Sequence, residues 1–126
     1  MSIADRNLPR RVEKPWGYEL IFAHTDKYAG KVLFVKQGAR LSFQYHSQKD
    51  ETLHIYDGEL LLHVENTNGE KASITLKKGE GYRIEPFLRH RMEAVTDTYI
   101  FEVSTPELDD VTRLQDDYGR EGQTAP

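Results

Sequence analysis

Gly38-Ala-Arg-Leu-Ser-Phe-Gln44-Tyr-His46-Ser-Gln-Lys-Asp-Glu51-Thr-Leu-His-Ile-Tyr-Asp-Gly58 is the stretch on which the reading of this chain turns. Gln44 and His46 stand two apart in a segment of strand character, so both side chains leave one face. Ser47 to Asp50 reads as a polar turn. Glu51 then heads an apolar segment, Leu53 to Tyr56, that reads as the returning strand of a hairpin. An amide oxygen, an imidazole and a carboxylate converge across that hairpin. This is most of a metal site, short of one ligand from elsewhere in the chain.

Outward from it, strand and turn signals fill nearly everything between residues 16 and 104. Upstream, Pro15-Trp16-Gly17 opens an apolar strand in which the only tryptophan reads as a core anchor. Lys31 to Lys36 is strand-like. Downstream, Glu59 to Glu65 and Ala72 to Leu76 flank Asn66-Thr67-Asn68-Gly69, a strong hairpin signal because Asn-Gly tolerates positive φ. Tyr82 to Ile84, Arg91 to Val95 and Thr98 to Val103 follow as short strands. Such spacing without intervening helices predicts an all-β antiparallel barrel or sandwich.

Beyond Val103 the pattern changes. Thr105 is a good N-cap, Pro106 suits a first helical position, and Glu107, Asp109 and Asp110 complement the helix dipole. With Leu108, Val111 and Leu114 at helical spacing, 106–117 is expected as a short amphipathic helix. Residues 1–14 read as an N-terminal arm that needs something to dock on, 15–118 as one domain and 119–126 as a loose tail.

The 126 residues amount to one domain. No run of about 18 apolar residues is present to span a bilayer, and no apolar segment follows the basic residues of the first eleven, so a cytoplasmic protein is expected. There is no cysteine for disulfides or thiolate metal sites. Net charge is -4 with the basic residues scattered, which argues against nucleic acid as a partner. A few arginines aimed into one pocket can still hold a small anion.

His90 follows the Pro86 loop at the head of a strand and is the natural fourth ligand. Gln44, His46, Glu51 and His90 mix two imidazoles with two oxygen donors, which suits zinc, manganese, iron, cobalt or nickel. Gln44 can alternatively contact substrate, and Glu51 can alternatively serve as a general base. His54 and His63 fall outside the spacing and read as surface or core residues, and His24, in the polar run Ala23 to Tyr28, reads as part of a solvated loop. Arg91 and Arg113 are candidates for binding an anion, each with the alternative of a surface cation whose stem covers apolar atoms, and Arg40, Arg83 and Lys36 are further candidates.

Gly38-x5-Gln44-x-His46-x4-Glu51-x6-Gly58 resembles the first cupin motif, and Gly79-x5-Glu85-x4-His90 the second. The resemblance narrows to the type II phosphomannose isomerase group, whose domain also forms the carboxy-terminal part of mannose-1-phosphate guanylyltransferase isomerases. Pro15-Trp16-Gly17, Leu41-Ser42-x-Gln44-x-His46, His90-Arg91-x-Glu93, Asp109-Asp110-Val111-x-Arg113 and Asp117-Tyr118-Gly119-Arg120 carry it. The chain departs from the group at Ser47, Gln48, Thr52, Leu53, Ala94 and Glu85-Pro86-Phe87.

The resemblance implies a single cupin barrel of two sheets and a metal-dependent aldose-ketose isomerase of a sugar phosphate, mannose 6-phosphate with fructose 6-phosphate first. It implies one divalent metal ion as cofactor. Glu102 matches a glutamate of the group and is a candidate to shuttle the proton, while Arg113 is implied to act in catalysis by holding the substrate. A homodimer is expected, formed by exchanging or adding terminal strands. A cupin epimerase or isomerase on another sugar, and a non-catalytic sugar-binding or regulatory cupin, are the alternatives.

Overall fold

The computed structural model describes residues 2–122. In chain order the strands are β1 (Arg10–Lys14), β2 (Gly17–His24), β3 (Ala29–Val35), β4 (Phe43–Tyr45), β5 (Glu51–Asp57), β6 (Glu59–Glu65), β7 (Lys71–Lys77), β8 (Gly81–Ile84), β9 (Arg89–Ala94), β10 (Thr98–Ser104) and β11 (Thr112–Gln115). They form two sheets, ordered β1-β2-β3-β10-β5-β8 and β11-β4-β9-β6-β7, with every pairing antiparallel. The all-β expectation is met. Among the described residues there is no helix, and so none long and apolar enough to cross a membrane.

Alternation along each strand builds the interior. On β5 Leu53 and Ile55 are buried between exposed Thr52, His54 and Tyr56, and on β6 Leu60, Leu62 and Val64 take the inner face. With Trp16, Leu33, Val35, Ile84, Met92 and Ile100 they make one continuous core. Trp16 is therefore the anchor expected of it. Gly17 has to be glycine: its φ is +154° and a Cβ would come within 1.9 Å of the carbonyl oxygen of Phe34.

The inner face of the six-stranded sheet changes character along its strands. Thr98 opposes Val35 and Ile100 opposes Leu33 at the apolar end, whereas Glu102 opposes Lys31 at the other. Glu51 opposes Ser104, one residue pair further. A row of buried charges thus closes the end of the sandwich where β4 and β11 lie. The outer face of the same sheet is apolar: Tyr18, Phe34 and Tyr99 stack in sequence, and Phe22, Tyr56, Phe101 and Val103 are exposed beside them.

Three sequence expectations are corrected. Residues 106–117 are not a helix: the chain turns at Leu108–Asp109 and runs into β11, where Arg113 pairs with Gln44 and Thr112 with Tyr45. Helix propensity differs by only tenths of a kcal/mol per residue, and pairing with the otherwise open edge of β4 outweighs it. Residues 10–14 of the expected arm are strand β1 on the edge of their own sheet, paired Val12 to Glu19 and Lys14 to Gly17. The stretch carrying Gln44, His46 and Glu51 is not a hairpin either, because β4 and β5 belong to different sheets. Of the expected tail, residues 123–126 lie outside the described residues.

Candidate metal centre and the charged cavity beside it

His46 leaves the end of β4, and His90 stands on the neighbouring β9, whose Cα pairs with Gln44. Glu51 reaches them from the first residue of β5 in the opposite sheet. All three are at most 3% exposed. Their ligand atoms lie within 4.8 Å of one another. Nε2 of His46 is 3.1 Å and Nε2 of His90 3.5 Å from the same oxygen, Oε1 of Glu51.

The other ring nitrogens decide what that geometry means. Nδ1 of His46 lies 2.6 Å from the carbonyl oxygen of Asp110, and Nδ1 of His90 lies 2.9 Å from that of Leu88. A carbonyl only accepts, so each Nδ1 carries a proton, and in the neutral ring each Nε2 presents a lone pair. Two lone pairs then face a carboxylate oxygen, and the buried Nε2 of His90 makes no hydrogen bond. Such an arrangement repels itself unless a proton or a metal cation lies between the donors. Two ligands each about 2.1 Å from one metal ion stand about 3.0–3.4 Å apart, close to the 3.1 and 3.5 Å observed here. Backbone carbonyls that fix imidazole orientation are the usual outer support of such ligands.

Gln44 lines the same cavity as His46 and Glu51. Its Oε1 accepts from the Ser42 hydroxyl at 2.5 Å. Phe43 and Tyr45 line clefts on the other side of the sheet, so the two-residue spacing of Gln44 and His46 does place both inside.

Beside the cluster is a cavity of about 60 Å³ lined by Lys14, Glu19, Lys31, Lys49, Glu102, Arg113 and Arg120 among others. Lys49 Nζ sits 3.2 Å from Oε2 of Glu51 and 3.1 Å from Oε2 of Glu102. Lys31 Nζ is 3.3 Å from Oε2 of Glu19, and Lys14 Nζ approaches Oε1 of the same carboxylate at 3.9 Å. Five cations thus face three carboxylates, Glu19, Glu51 and Glu102, with Arg120 also gripped by the buried Asp116 at 2.8 and 3.1 Å, in a protein whose net charge is negative. The interior is positive where the surface is not.

The two inner carboxylates are driven apart. Burial pushes the Glu102 carboxyl above its ordinary value, helped by the charge of Glu51 and opposed by Lys49 and Lys31. Burial acts on Glu51 in the same direction, but the Lys49 charge holds it well below the usual carboxylate range. Burial would lower Lys49, yet Glu102 and Glu51 together raise it. Arg113 is lowered by burial and by the like charge of Arg120.

The structure brings together Gln44, His46, Glu51, His90, Glu102 and Arg113 of the sequence-derived candidates. It places the other four elsewhere, Arg83 at the surface where it grips Asp50 at 3.1 and 2.7 Å. Lys36 is exposed just beyond β3. Arg40 and Arg91 both grip Asp117, Arg40 at 2.7 and 2.9 Å and Arg91 at 3.2 Å, and both line a cleft on the outer face of the five-stranded sheet. His24, His54 and His63 are all outside the centre: His24 meets the carbonyl of Pro106, His63 bridges Ser73 and Glu93, and His54 is exposed.

Sequence reasoning missed Lys14, Glu19, Lys31 and Lys49. For two of them a signal existed. Lys31 shares the parity of Leu33 and Val35, and Glu19 that of Ile21, so alternation alone turns both inward. Lys49 sits in the loop between sheets, where no periodicity reports direction. Its position depends on Asp110, whose carboxylate receives the amides of Ser47, Gln48 and Lys49 and the Ser47 hydroxyl.

No protein-family model and no curated protein matches the chain by sequence. Solved structures do match it by fold. KdgF from a Halomonas species superposes with a TM-score of 0.67 at 20% identity, over 77% of this chain and 86% of that one. The capsular polysaccharide assembling protein CapF from Staphylococcus aureus gives 0.71 at 20% identity, over 85% of this chain and 32% of that one. Oxalate decarboxylase from Bacillus subtilis gives 0.71 at 15% identity, over 90% and 33%. The chain spans about a third of each of the latter two. All three are cupin-fold proteins, and the two-sheet architecture described above is that fold.

Proposed function

We propose that the protein is a metal-dependent cupin enzyme that moves a proton between neighbouring carbons of an anionic sugar, with mannose 6-phosphate and fructose 6-phosphate the first substrates to test. One observation carries the reading: Glu102, a buried carboxylate raised above its ordinary value, shares one positive cavity with the His46, Glu51 and His90 cluster and with Arg113. A carboxylate raised by burial is a better proton acceptor than an ordinary one.

His46, Glu51 and His90 would hold the metal, with Gln44 as a fourth ligand or a substrate contact. Bound there, a divalent ion supplies Lewis acidity toward a substrate oxygen. Arg113, Arg120, Lys14 and Lys31 bind and orient the anionic group. Glu102 takes the proton from one carbon and returns it to the next. Lys49, hydrogen-bonded to Glu102, orients the carboxylate. Leu108, Val111, Leu41 and Trp16 keep the cavity wall apolar and exclude water.

The test is to strip the protein, reload single metals and incubate it with mannose 6-phosphate in D2O, reading interconversion and deuterium uptake by NMR. Turnover that is metal-dependent and absent in His46→Ala supports the reading. Absence of turnover with every metal overturns it and leaves the fold untouched.

The cavity volume favours a second substrate within the same chemistry. About 60 Å³ holds only a few water-sized groups, so a smaller anionic sugar displaces less of the Leu108 to Val111 wall than a hexose phosphate does. Epimerisation or isomerisation of such a sugar is read by the same NMR experiment on a panel of substrates. Binding without any exchange in D2O would instead favour a sugar-binding module.

A homodimer is proposed on a separate observation. β1 already occupies the sheet edge within its own chain, and the apolar outer face formed by Tyr18, Phe34, Tyr56, Tyr99 and Phe101 supports pairing of two copies face to face.

A further inference from the structure

The carboxylate of Glu51 is divided between two environments. Oε1 faces Nε2 of both His46 and His90, whereas Oε2 makes no hydrogen bond and is ion-paired with Nζ of Lys49 at 3.2 Å. Lys49 is only 5% exposed, and its ammonium is anchored from the far side by Oε2 of Glu102 at 3.1 Å. Its backbone is anchored as well, since its amide donates to Oδ2 of Asp110 at 2.9 Å. A long cation buried in this way is costly unless its partners are fixed, and here both ends of the residue are fixed.

From this geometry we infer that Lys49 is a positioning residue of the metal centre: it occupies Oε2 of Glu51 so that the carboxylate offers a cation Oε1 alone. The inference rests on the reading of His46, Glu51 and His90 as metal ligands and extends it to how one of them binds. A carboxylate with both oxygens free can chelate a divalent ion, whereas one whose second oxygen is tied to an ammonium binds through a single atom. The same contact places a positive charge beside the ligand, which weakens the hold on the metal and leaves more of its acidity for a substrate oxygen. Lys49 thus trades affinity for an open coordination position.

The experiment compares the purified full-length protein with Lys49→Met, Lys49→Arg and Glu51→Gln by zinc titration and by the infrared difference spectrum on adding zinc. The separation of the antisymmetric and symmetric carboxylate stretches is wide for one-oxygen binding and narrow for chelation. Glu51→Gln assigns the band by removing it. The wild type is expected to show the wide separation. In Lys49→Met it narrows and Kd falls about tenfold, because a chelating oxygen is gained and a nearby positive charge is lost. Lys49→Arg restores the wide separation. If Lys49→Met does not fold, Lys49→Met with Glu102→Gln removes one cation and one anion together and is read in the same way. A Lys49→Met protein with the wild-type separation and a Kd within about twofold of wild type overturns the inference while the metal reading stands. A wild type that binds no zinc, manganese, cobalt, nickel or iron overturns both.

Discussion

Nδ1 of His46 donates to the carbonyl oxygen of Asp110 at 2.6 Å across 64 residues of sequence. The carboxylate of the same Asp110 gathers the amides of Ser47, Gln48 and Lys49. One residue therefore sets the orientation of a proposed metal ligand and the course of the loop that carries Lys49. The first prediction follows from it.

Those hydrogen bonds overcome the effect of burial and hold the Asp110 carboxyl at about 2, against an ordinary value of 3.8. A carboxyl depressed on folding contributes stability that is complete above its unfolded value and is lost as pH falls through its folded value. The contribution of Asp110 is therefore present at neutral pH and disappears between 3.8 and about 2. Asp110→Asn is expected to lower stability at pH 7 by about 1–2 kcal/mol, through loss of charge-assisted bonds to backbone amides. Urea midpoints for the two proteins should converge as pH falls through that window. Parallel curves from pH 7 to 2 would show that the carboxylate contributes nothing through its charge.

Metal should stabilise the wild type and not the ligand variants. At a hundredfold excess over Kd, a bound ion adds about 2.7 kcal/mol, which raises Tm by roughly 5–10 °C in a domain of this size. His90→Ala and His46→Ala are expected to lose that increment and the bound metal measured by elemental analysis. Equal shifts in all three proteins would place the ion elsewhere.

Glu102→Gln keeps the shape of the side chain and removes its proton chemistry. Activity in the D2O assay is expected to fall by about 10²–10⁴-fold with the metal content unchanged. A loss of metal in this variant would assign Glu102 to the support of the centre.

Among the cations the structure separates two groups by position. Arg113→Ala should raise KM for an anionic substrate by about tenfold or more, since it removes a guanidinium from the cavity wall. Lys36→Ala should leave KM unchanged, and Arg40→Ala should chiefly release Asp117. Inhibition by inorganic phosphate that vanishes with Arg113 and persists without Arg40 would confirm the division.

Light scattering tests the dimer directly. A mass near twice 14.6 kDa is expected for the wild type. Phe101→Glu with Tyr56→Glu, both on the exposed aromatic face, should return it to one chain. A wild-type mass of a single chain would remove the proposal.

Alternation, turn residues and the spacing of four donors were enough to read an all-β chain and to name His46, Glu51 and His90, because those signals are local. The period of two fixes which side chains share a face wherever the chain is extended, and it placed Gln44 with His46 correctly. Local signals misread residues 106–117, where Leu108, Val111 and Leu114 recur at helical spacing while the backbone is taken up by β4. Tertiary structure alone decided that His46 and Glu51 meet across two sheets, that Asp110 fastens the loop between them, and that Lys49 reaches Glu51 and Glu102. It also decided which arginines face the cavity. The physical reason is the same in each case: sequence spacing specifies direction along one strand, whereas a contact between sheets depends on strand order and register that only the packed core enforces.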